Sequence, residues 1–319
     1  MGVLRALTRR HRPSRPLSAT RRGIGPTAGV LAIAGAVLAT TLILAPVAAA
    51  IHAQYYVAIG GSETLGFQGT GPGGTTRATS QGYTNDLVEM EQARWPDLQL
   101  ALFACPGLRV DMALSGRTTN PPGSFAARTT SGRCDVGTGS EVAKASTFIR
   151  AHRGQVSLVT VDLGYSDVAA CMTNARIQTA CVAAALARIR AVLPVVVSRL
   201  REAGGSSLRI VGLDHEDPSL GYYLEKPEHE PAFAKESLGV TEQYNQVVHA
   251  AYANVGVRVA QVSAAFATAT TTPTHNARWG TVPLDLARIC ILTWMCTNGD
   301  IHPNVEGYRV IADTIIAAS

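Results

Sequence analysis

Short apolar segments recur along the chain, and each ends in glycine, proline or polar residues. Continuous apolar runs of this kind are typical of strands that are buried on both faces of a parallel sheet. The pattern predicts five strands, at residues 55–59, 98–103, 156–163, 208–213 and 257–260.

Longer segments with helical periodicity lie between these strands. They predict helices at residues 81–94, 141–151, 180–203, 241–254 and 305–317. Pro194 is expected to kink or break the third helix, because proline removes a backbone hydrogen bond. Residues 111–140 are rich in Gly, Thr, Ser and Pro and are expected to form a long loop. Strands that alternate with helices predict one α/β domain, a parallel sheet with helices on both faces.

The first 53 residues differ from the rest of the chain. An Arg-rich segment, residues 1–22, precedes an apolar run over residues 27–50 that closes in small residues, and these are the three parts of a secretory signal. The run of 24 residues is also long enough to span a bilayer as a helix. We therefore expect residues 1–53 to be a cleaved signal peptide or an uncleaved membrane anchor. Residues 54–319 are then the working domain, secreted or extracytoplasmic.

The net charge differs between the two sides of this boundary. The 319 residues carry a formal charge of +5, with a pI near 9.0. Seven arginines and no Lys, Asp or Glu lie in residues 1–53, so the remaining 266 residues carry 21 basic and 23 acidic side chains, a formal −2. A nucleic-acid partner therefore loses its electrostatic support. With 46% apolar and 16% charged residues, the chain is neither disordered nor fibrous.

All six cysteines follow the N-terminal segment, and an even number in an exported chain predicts disulfides. Spacing alone leaves many pairings open. Proximity along the chain favours Cys105–Cys134, Cys171–Cys181 and Cys290–Cys296. A metal site is the alternative, but the chain has no C-x2-C pair and no histidine at ligand spacing from these cysteines.

Candidate chemistry follows the predicted strands, because ligands of parallel sheets bind beyond the carboxyl ends of the strands. Gly61-Ser62-Glu63 follows the first strand. A serine in a tight glycine turn after a buried strand exposes its hydroxyl as a nucleophile, close to backbone N–H groups. Near the C-terminus, Asp300-Ile-His302-Pro supplies a base beside a carboxylate. Either segment alone is more often structural, and the two together indicate nucleophilic catalysis.

At these residues the sequence resembles the SGNH (GDSL) hydrolase family. Residues 56–62 look like the family's first block, a strand that ends in Gly-Asp-Ser, and residues 104–107 look like its second. Residues 161–167 look like the third block, and residues 299–308 are similar to the block that carries the catalytic histidine. The six cysteines resemble those of secreted actinobacterial-type members with three disulfides. The resemblance implies a three-layer α/β/α, flavodoxin-like fold with a central parallel sheet of about five strands.

The resemblance also implies the roles of five residues. Ser62 would attack an ester carbonyl, with His302 as general base and then general acid. The N–H groups of Ser62 and Gly107 and the side chain of Ser166 would form an oxyanion hole. Asp300 or a backbone carbonyl would orient His302. No metal or cofactor is implied. We expect a monomer that acts on a small-molecule, lipid or carbohydrate ester. An uncleaved segment over residues 27–50 would attach it to the membrane.

Three positions depart from the family pattern. Gly61 replaces the Asp beside the nucleophile, although that Asp is not the proton acceptor. Ser166 replaces an Asn, and the loss of one oxyanion donor typically lowers the rate by roughly 10²–10³-fold. Gly299 stands where the family commonly has an Asp, so that the carboxylate of Asp300 lies two residues before His302 rather than three. These departures predict reduced activity.

Three other sets of residues have less specific patterns. Residues 69–74 are glycine-rich but no Gly-Lys-Ser/Thr follows, so we expect a flexible loop rather than a phosphate loop. Residues 214–217 and 228–230 hold enough donors for a metal, but their spacing fits no standard site and we expect a solvated loop. A further set could form an apolar acyl-binding wall or pack in the core: Tyr222, Tyr223, Leu224, Trp279 and Trp294.

Three functions remain open from the sequence. The first is an exported serine esterase or lipase. The second is a catalytically weakened protein of the same fold that binds in the cell envelope. The third is an acyltransferase that uses the same nucleophile on envelope polysaccharide. The residues that would select the substrate lie in loops that no motif decodes.

Overall fold

The computed structural model describes residues 53–71, 74–116, 139–173, 176–225 and 231–319. Residues 1–52, which make up almost all of the predicted signal or anchor, lie outside the described residues. So do residues 117–138 of the predicted long loop, including Cys134. The elements below all belong to the unit formed by residues 50–319.

Five parallel strands form the central sheet. They are β1 (Tyr55–Gly60), β2 (Gln99–Ala104), β3 (Val156–Asp162), β4 (Ile210–Leu213) and β5 (Arg258–Ala260). Their order across the sheet is β2-β1-β3-β4-β5, which is the order of flavodoxin-like doubly wound folds. The predicted parallel sheet is therefore confirmed, and each strand lies within two residues of its predicted bounds.

The apolar composition of β1 follows from its place inside the sheet. Neighbouring side chains of a strand point to opposite faces. Val57 and Ile59 belong to the core on one face of the sheet, and Tyr56 and Ala58 belong to the core on the other. All four are at most 1% exposed. A strand covered on both faces needs an apolar residue at every position, and the sequence provides it.

Helices cover both faces of the sheet. They are α1 (Tyr83–Gln92), α2 (Val110–Ser115), α3 (Glu141–Ala151), α4 (Tyr165–Ala169), α5 (Thr179–Gly204), α6 (Tyr222–Glu225), α7 (Pro231–Ala253), α8 (Val262–Ala265), α9 (Leu284–Leu292), α10 (Met295–Asn298) and α11 (Val305–Ala318). Helices α3, α5 and α7 share a core with Val57 and Ile59, and helices α1, α9 and α11 share one with Tyr56 and Ala58. The three layers of an α/β/α fold result.

Short elements complete the described part of the chain. A 3-10 turn at Pro218–Gly221 leads into α6. Three two-stranded antiparallel pairs lie outside the central sheet: Gln68–Gly69 with Thr76–Arg77, Met172–Thr173 with Arg176–Ile177, and Pro273–Asn276 with Gly280–Pro283.

Helix α5 continues through Pro194, so the predicted break is not found. Leu193 and Val196 are fully buried on either side of the proline. Burial of this apolar face stabilises the helix against the hydrogen bond that proline removes. By length and composition alone α5 could cross a membrane, but the same apolar face packs in the core of this domain.

Other helices also differ from the sequence prediction, which did not include α2, α4, α6, α8, α9 or α10 and began α7 too late. Helix α7 begins at Pro231, well before the predicted start at residue 241, and its first turns bury Phe233 and Ala234. Helix α2 occupies the beginning of the predicted long loop, where Val110 and Ala113 are fully buried. In both cases burial against the rest of the domain stabilises a helix that local composition does not indicate.

Two of the disulfides favoured by chain proximity are present. Cys171 is bonded to Cys181 at the start of α5, and Cys290 in α9 is bonded to Cys296 in α10. Cys105 is also disulfide-bonded, while Cys134, its favoured partner, lies outside the described residues. These bonds are consistent with an extracytoplasmic location.

A test of the packing beneath β4 is Gly212→Ala. The added Cβ would lie 2.2 Å from the ring of Tyr252, which is fully buried and donates a hydrogen bond to the carbonyl of Val161. Since this ring has no room to move, we expect the free energy of unfolding in urea to fall by about 1–3 kcal/mol. The control Gly239→Ala, in α7 with no atom near its added Cβ, should gain about 1 kcal/mol. Equal stability of the two variants would contradict this account.

Candidate active site

Ser62 lies just beyond the carboxyl end of β1, where a tight turn begins. Its carbonyl accepts hydrogen bonds from the N–H groups of Leu65 (3.1 Å) and Phe67 (3.0 Å), and the carbonyl of Glu63 accepts one from Gly66 (2.8 Å). Gly66 has a φ of +63°, a left-handed conformation that favours glycine. The turn therefore closes on itself directly after the sheet and leaves Ser62 half-buried.

His302 lies in the segment between α10 and α11. Its carbonyl accepts a hydrogen bond from the N–H of Trp294 (3.0 Å), and the N–H of Asn304 donates to the carbonyl of Leu292 (2.9 Å). The disulfide Cys290–Cys296 spans the residues that make these contacts. The backbone is thus held on both sides of His302, and the imidazole is 1% exposed.

The structure brings together Ser62, His302 and Asp300. Ser62 Oγ lies 2.9 Å from Nε2 of His302, and Nδ1 of the same ring lies 2.6 Å from Oδ1 of Asp300. Because a carboxylate only accepts hydrogen bonds, Nδ1 carries a proton and Nε2 accepts from the Ser62 hydroxyl. Of the two partners that the sequence left open for His302, the structure places the Asp300 carboxylate at Nδ1, not a backbone carbonyl.

Asp300 reaches the imidazole although it is only two residues away. Its Oδ1 also accepts a hydrogen bond from the backbone N–H of His302 (3.2 Å), which fixes the carboxylate beside the ring. The other oxygen, Oδ2, is buried without a hydrogen-bond partner among the described residues. A Cβ added at Gly69 would lie 2.7 Å from it. Gly69 pairs with Thr76 in a short hairpin, so this end of the predicted flexible loop is ordered against the site.

The predicted oxyanion residues follow the same strand ends. The N–H groups of Ser62 and Gly107 make no hydrogen bond to any described residue, so both can donate to a ligand. Gly107 has a φ of +67°, a conformation that favours glycine. A Cβ added at Gly61 would lie 3.7 Å from Ser166 Oγ. Two of the departures from the family pattern, at positions 61 and 166, are therefore neighbours in space.

Residues 214–217 are buried at the carboxyl end of β4, so the expectation of a solvated loop was wrong. Asp214 and His215 are each 5% exposed, and Glu216 and Asp217 are not exposed at all. Asp214 accepts hydrogen bonds from His249 (2.9 Å) and from the N–H of Ser263 (3.0 Å). A run of charged residues usually indicates solvent, but here Asp214, His215 and Asp217 have hydrogen-bond partners inside the domain.

His215 has carboxylates near both of its ring nitrogens. Nε2 lies 3.1 Å from Oε1 of Glu63, and Nδ1 lies 3.4 Å from Oε2 of Glu216 and 2.7 Å from the carbonyl oxygen of Glu216. Ligand atoms of the three residues lie within 4.8 Å of one another, which is a donor set that could hold a metal. Both ring nitrogens already have polar partners, so the arrangement is that of an ion-pair cluster. Residues 228–230, the other predicted donors, lie outside the described residues.

Burial perturbs the carboxyl groups around this cluster. Burial raises the pKa of Asp162, at the end of β3, to about 6, although Thr64 donates a hydrogen bond to it. Burial likewise raises the pKa of Glu216 to about 8 and that of Asp217 to about 7. Perturbed carboxyl groups that cluster at one edge of a sheet are typical of functional sites.

The aromatic residues considered for an acyl-binding wall do not form one surface. Tyr222, Leu224 and Trp279 pack against the core on the α1, α9 and α11 side of the sheet. Tyr223 is 46% exposed. Trp294 is half-buried and donates a hydrogen bond from Nε1 to Gln68 Oε1 (3.1 Å), next to the hairpin that contacts Asp300. Trp294 is thus tied to the segments that carry Asp300 and His302.

Several known structures are similar to this chain. The extracellular lipase of Streptomyces rimosus matches with a TM-score of 0.50 and 18% sequence identity, and the match covers 84% of this chain and 100% of the lipase. A phospholipase A1 from Streptomyces albidoflavus matches with a TM-score of 0.49 and 18% identity, over 84% of this chain and 100% of that chain. An acetyl xylan esterase variant from Geobacillus stearothermophilus matches with a TM-score of 0.46 and 16% identity, over 83% and 94%.

The likeness to the Streptomyces rimosus lipase shows a common fold. No family model matches the chain, and no curated protein matches its sequence. The α/β/α architecture expected from the resemblance to SGNH hydrolases is thus confirmed at the level of the fold.

The raised carboxyl pKa values predict how stability depends on pH. Asp217 keeps its proton in the native state up to about pH 7, whereas in the unfolded chain it loses the proton near its ordinary pKa of 3.8. The native state therefore binds more protons between these values, and the free energy of unfolding falls as pH rises through this window. Asp162 acts with the same sign up to about pH 6.

We expect urea unfolding at pH 5, 6, 7 and 8 to show this decline. Asp217→Asn should reduce the slope below pH 7 by about 1.4 kcal/mol per pH unit, the contribution of one group. The exposed residue Asp97 offers the matched control Asp97→Asn, which should leave the slope unchanged. A free energy of unfolding that rises from pH 5 to pH 7 would contradict the prediction.

Proposed function

We propose that the chain is an exported serine hydrolase of the SGNH type that cleaves carboxylic esters. The observation that carries the proposal is the hydrogen-bonded series from Ser62 Oγ to His302 Nε2 (2.9 Å) and from His302 Nδ1 to Asp300 Oδ1 (2.6 Å). Its place at the carboxyl ends of parallel strands is where such sheets bind ligands. The fold shared with a lipase supports the reaction class.

The reaction begins with proton transfer from the serine. Nε2 of His302 takes the hydroxyl proton as Ser62 Oγ attacks the ester carbonyl carbon, so that a tetrahedral intermediate forms. Asp300 holds the imidazole in the required tautomer and stabilises the imidazolium. His302 then donates the proton to the leaving alcohol, which leaves an acyl group on Ser62. A water activated by His302 hydrolyses the acyl-enzyme and regenerates the serine.

The negative charge on the tetrahedral oxygen requires donors that are already in place. The N–H groups of Ser62 and Gly107 are free to donate, and the hydroxyl of Ser166 is the third donor in this proposal. A hydroxyl is shorter than the amide of Asn and its proton rotates, so Ser166 stabilises the intermediate less well than the family's Asn. We therefore propose an esterase whose activity is reduced relative to members of the family that have the Asn.

Intact contacts between Ser62, His302 and Asp300 favour catalysis over a purely binding role for the domain. Whether water or a sugar hydroxyl accepts the acyl group depends on which acceptor the cleft admits. We propose hydrolysis, because water can reach the acyl-enzyme as the acceptor, whereas acyl transfer needs a second bound substrate. Export accounts for the disulfides and for the basic and apolar N-terminal segment.

The proposed function is tested with p-nitrophenyl acetate and p-nitrophenyl butyrate. The wild-type domain should release p-nitrophenol, and Ser62→Ala should lose at least about 10³-fold in kcat/KM, since it lacks the nucleophile. A fluorophosphonate probe should label the wild type once and leave the variant unlabelled. Equal rates for the two proteins would refute the proposal. Product analysis with an added sugar acceptor separates hydrolysis from acyl transfer.

The role of Ser166 is tested by opposite substitutions at one position. Ser166→Asn supplies a longer and fixed donor, so kcat should rise by about 10-fold or more with KM little changed. Ser166→Ala removes the hydroxyl and should lower kcat. If both variants turn over at the wild-type rate, residue 166 is not an oxyanion donor.

A further inference from the structure

His215 occupies a central place between the turns that carry the proposed catalytic groups. It follows the carboxyl end of β4 and is 5% exposed. Its ring stacks on the ring of Tyr165, with centroids 3.6 Å apart and planes 4° from parallel. Its Nε2 lies 3.1 Å from Oε1 of Glu63. Glu63 follows Ser62 in the chain, and Tyr165 precedes Ser166, so one imidazole contacts the neighbours of both residues.

Both ring nitrogens of His215 face acceptors. Nδ1 lies 2.7 Å from the carbonyl oxygen of Glu216, which can only accept a hydrogen bond. Nε2 faces the Glu63 carboxylate, which also accepts. Each nitrogen therefore carries a proton, and the ring is an imidazolium that donates to Glu63 on one side and to the Glu216 carbonyl on the other.

The charges around the ring agree with this protonation state. The Glu216 carboxylate, 3.4 Å from Nδ1, is fully buried and neither of its oxygens has a hydrogen-bond partner among the described residues. A positive ring favours the ionised form of this carboxyl group, while burial favours the protonated form and raises its pKa. Burial lowers the pKa of His215, but the Glu216 and Glu63 carboxylates raise it, with a smaller contribution from Asp162, and the balance lies well above its usual value. Asp217 also interacts with the charge of the ring.

We propose that His215 is a positioning residue of the active site: its doubly protonated ring ties Glu63, beside the nucleophile, to Tyr165, beside the third oxyanion donor. The proposal rests on the proposed esterase function. It explains why His215, Glu216 and Tyr165 are buried together just beyond the strand ends, with the half-buried Glu63 beside them. It also gives the turns that carry Ser62 and Ser166 a shared contact that does not involve position 61.

A contact of this kind is needed because the pairing of the strands ends before Ser62 and Ser166. Strands β1 and β3 pair with each other as far as Gly60 and Asp162. Ser62 and Ser166 both lie beyond these last paired residues. The turn after β1 is closed by hydrogen bonds within itself, and Thr64 joins it to Asp162 at the end of β3. These contacts do not include Tyr165 or Ser166, so the distance from the turn after β3 depends on a further contact. A charged hydrogen bond to one turn and a stacked ring on the other fix that distance. Displacements of about 1 Å are enough to lower rates by about 10²-fold.

The protonation state is tested independently of esterase activity. In ¹⁵N-labelled domain at pH 8, NMR should show the His215 ring with both nitrogens protonated, and the signal should be assigned by its loss in His215→Gln. His215→Gln and Glu63→Gln should both shift the backbone amides of Ser62 and Ser166. The control His249→Gln removes another histidine–carboxylate pair, that of the half-exposed His249 with Asp214. The described contacts of His249 reach neither turn, so this variant should leave those amides in place. A neutral His215 ring at pH 8 would overturn the proposal.

The kinetic test separates positioning from a general role in stability. With p-nitrophenyl acetate, His215→Gln and Glu63→Gln should each lower kcat by about 10- to 100-fold with KM within about twofold. The double variant should lose no more than either single variant, because both remove the same tie. His249→Gln should keep the wild-type kcat. Losses that multiply in the double variant, or a kcat unchanged per folded molecule, would overturn the proposal.

Two further outcomes are distinguishable. If ZnCl2 or MnCl2 raises the melting temperature of the wild type, and Glu63→Gln abolishes that rise, the cluster is a metal site and the proposal is overturned. If the wild type neither hydrolyses esters nor reacts with a fluorophosphonate, the proposed function fails. In that case the amide shifts of Ser62 and Ser166 in the two variants still decide whether His215 joins the two turns.

Discussion

The arrangement of the site depends on the register of the parallel sheet. Gly60 at the end of β1 pairs with Ala104 of β2 and with Asp162 of β3, so the three strands end at the same level. The turns that follow them therefore emerge side by side. A register slip of two residues would move one turn by about 7 Å relative to its neighbour, well beyond hydrogen-bond distance. Apolar layers on both faces stabilise this register, because the close-packed side chains of β1 fit those of the covering helices in one register.

Electrostatics at this edge of the sheet differ from those of an ordinary protein surface. Glu216 and Asp217 are fully buried and Asp162 is 9% exposed, although an unpaired carboxylate is costly to remove from water. Their raised pKa values express that cost. The imidazole of His215 lies among them and offers the opposite charge. Stability is therefore given up around the strand ends, which is common where a fold holds functional groups in place.

The departures from the SGNH pattern form a connected set in the structure. Gly61 and Ser166 are neighbours, so the family's Asp and Asn are both replaced by smaller residues at one place. Glu63 belongs to the turn after β1 and forms an ion pair with His215, which follows β4. This polar contact does not involve position 61. Asp300 lies one residue closer to His302 along the chain than the family's Asp does. Its carboxylate still contacts the imidazole, because the backbone N–H of His302 holds the same oxygen beside the ring.

The sequence alone determined the sheet, the five longest of the eleven described helices and the pair Ser62 and His302, because apolar periodicity and strand-end turns are local patterns. It did not determine that α5 runs through Pro194, that α7 begins at Pro231, or that residues 214–217 are buried, since each depends on distant packing partners. It left two partners open for His302, and missed the contact of Glu63 with His215, which are 152 positions apart. Only the tertiary structure brings such side chains within hydrogen-bond distance, and that distance decides which charges are paired.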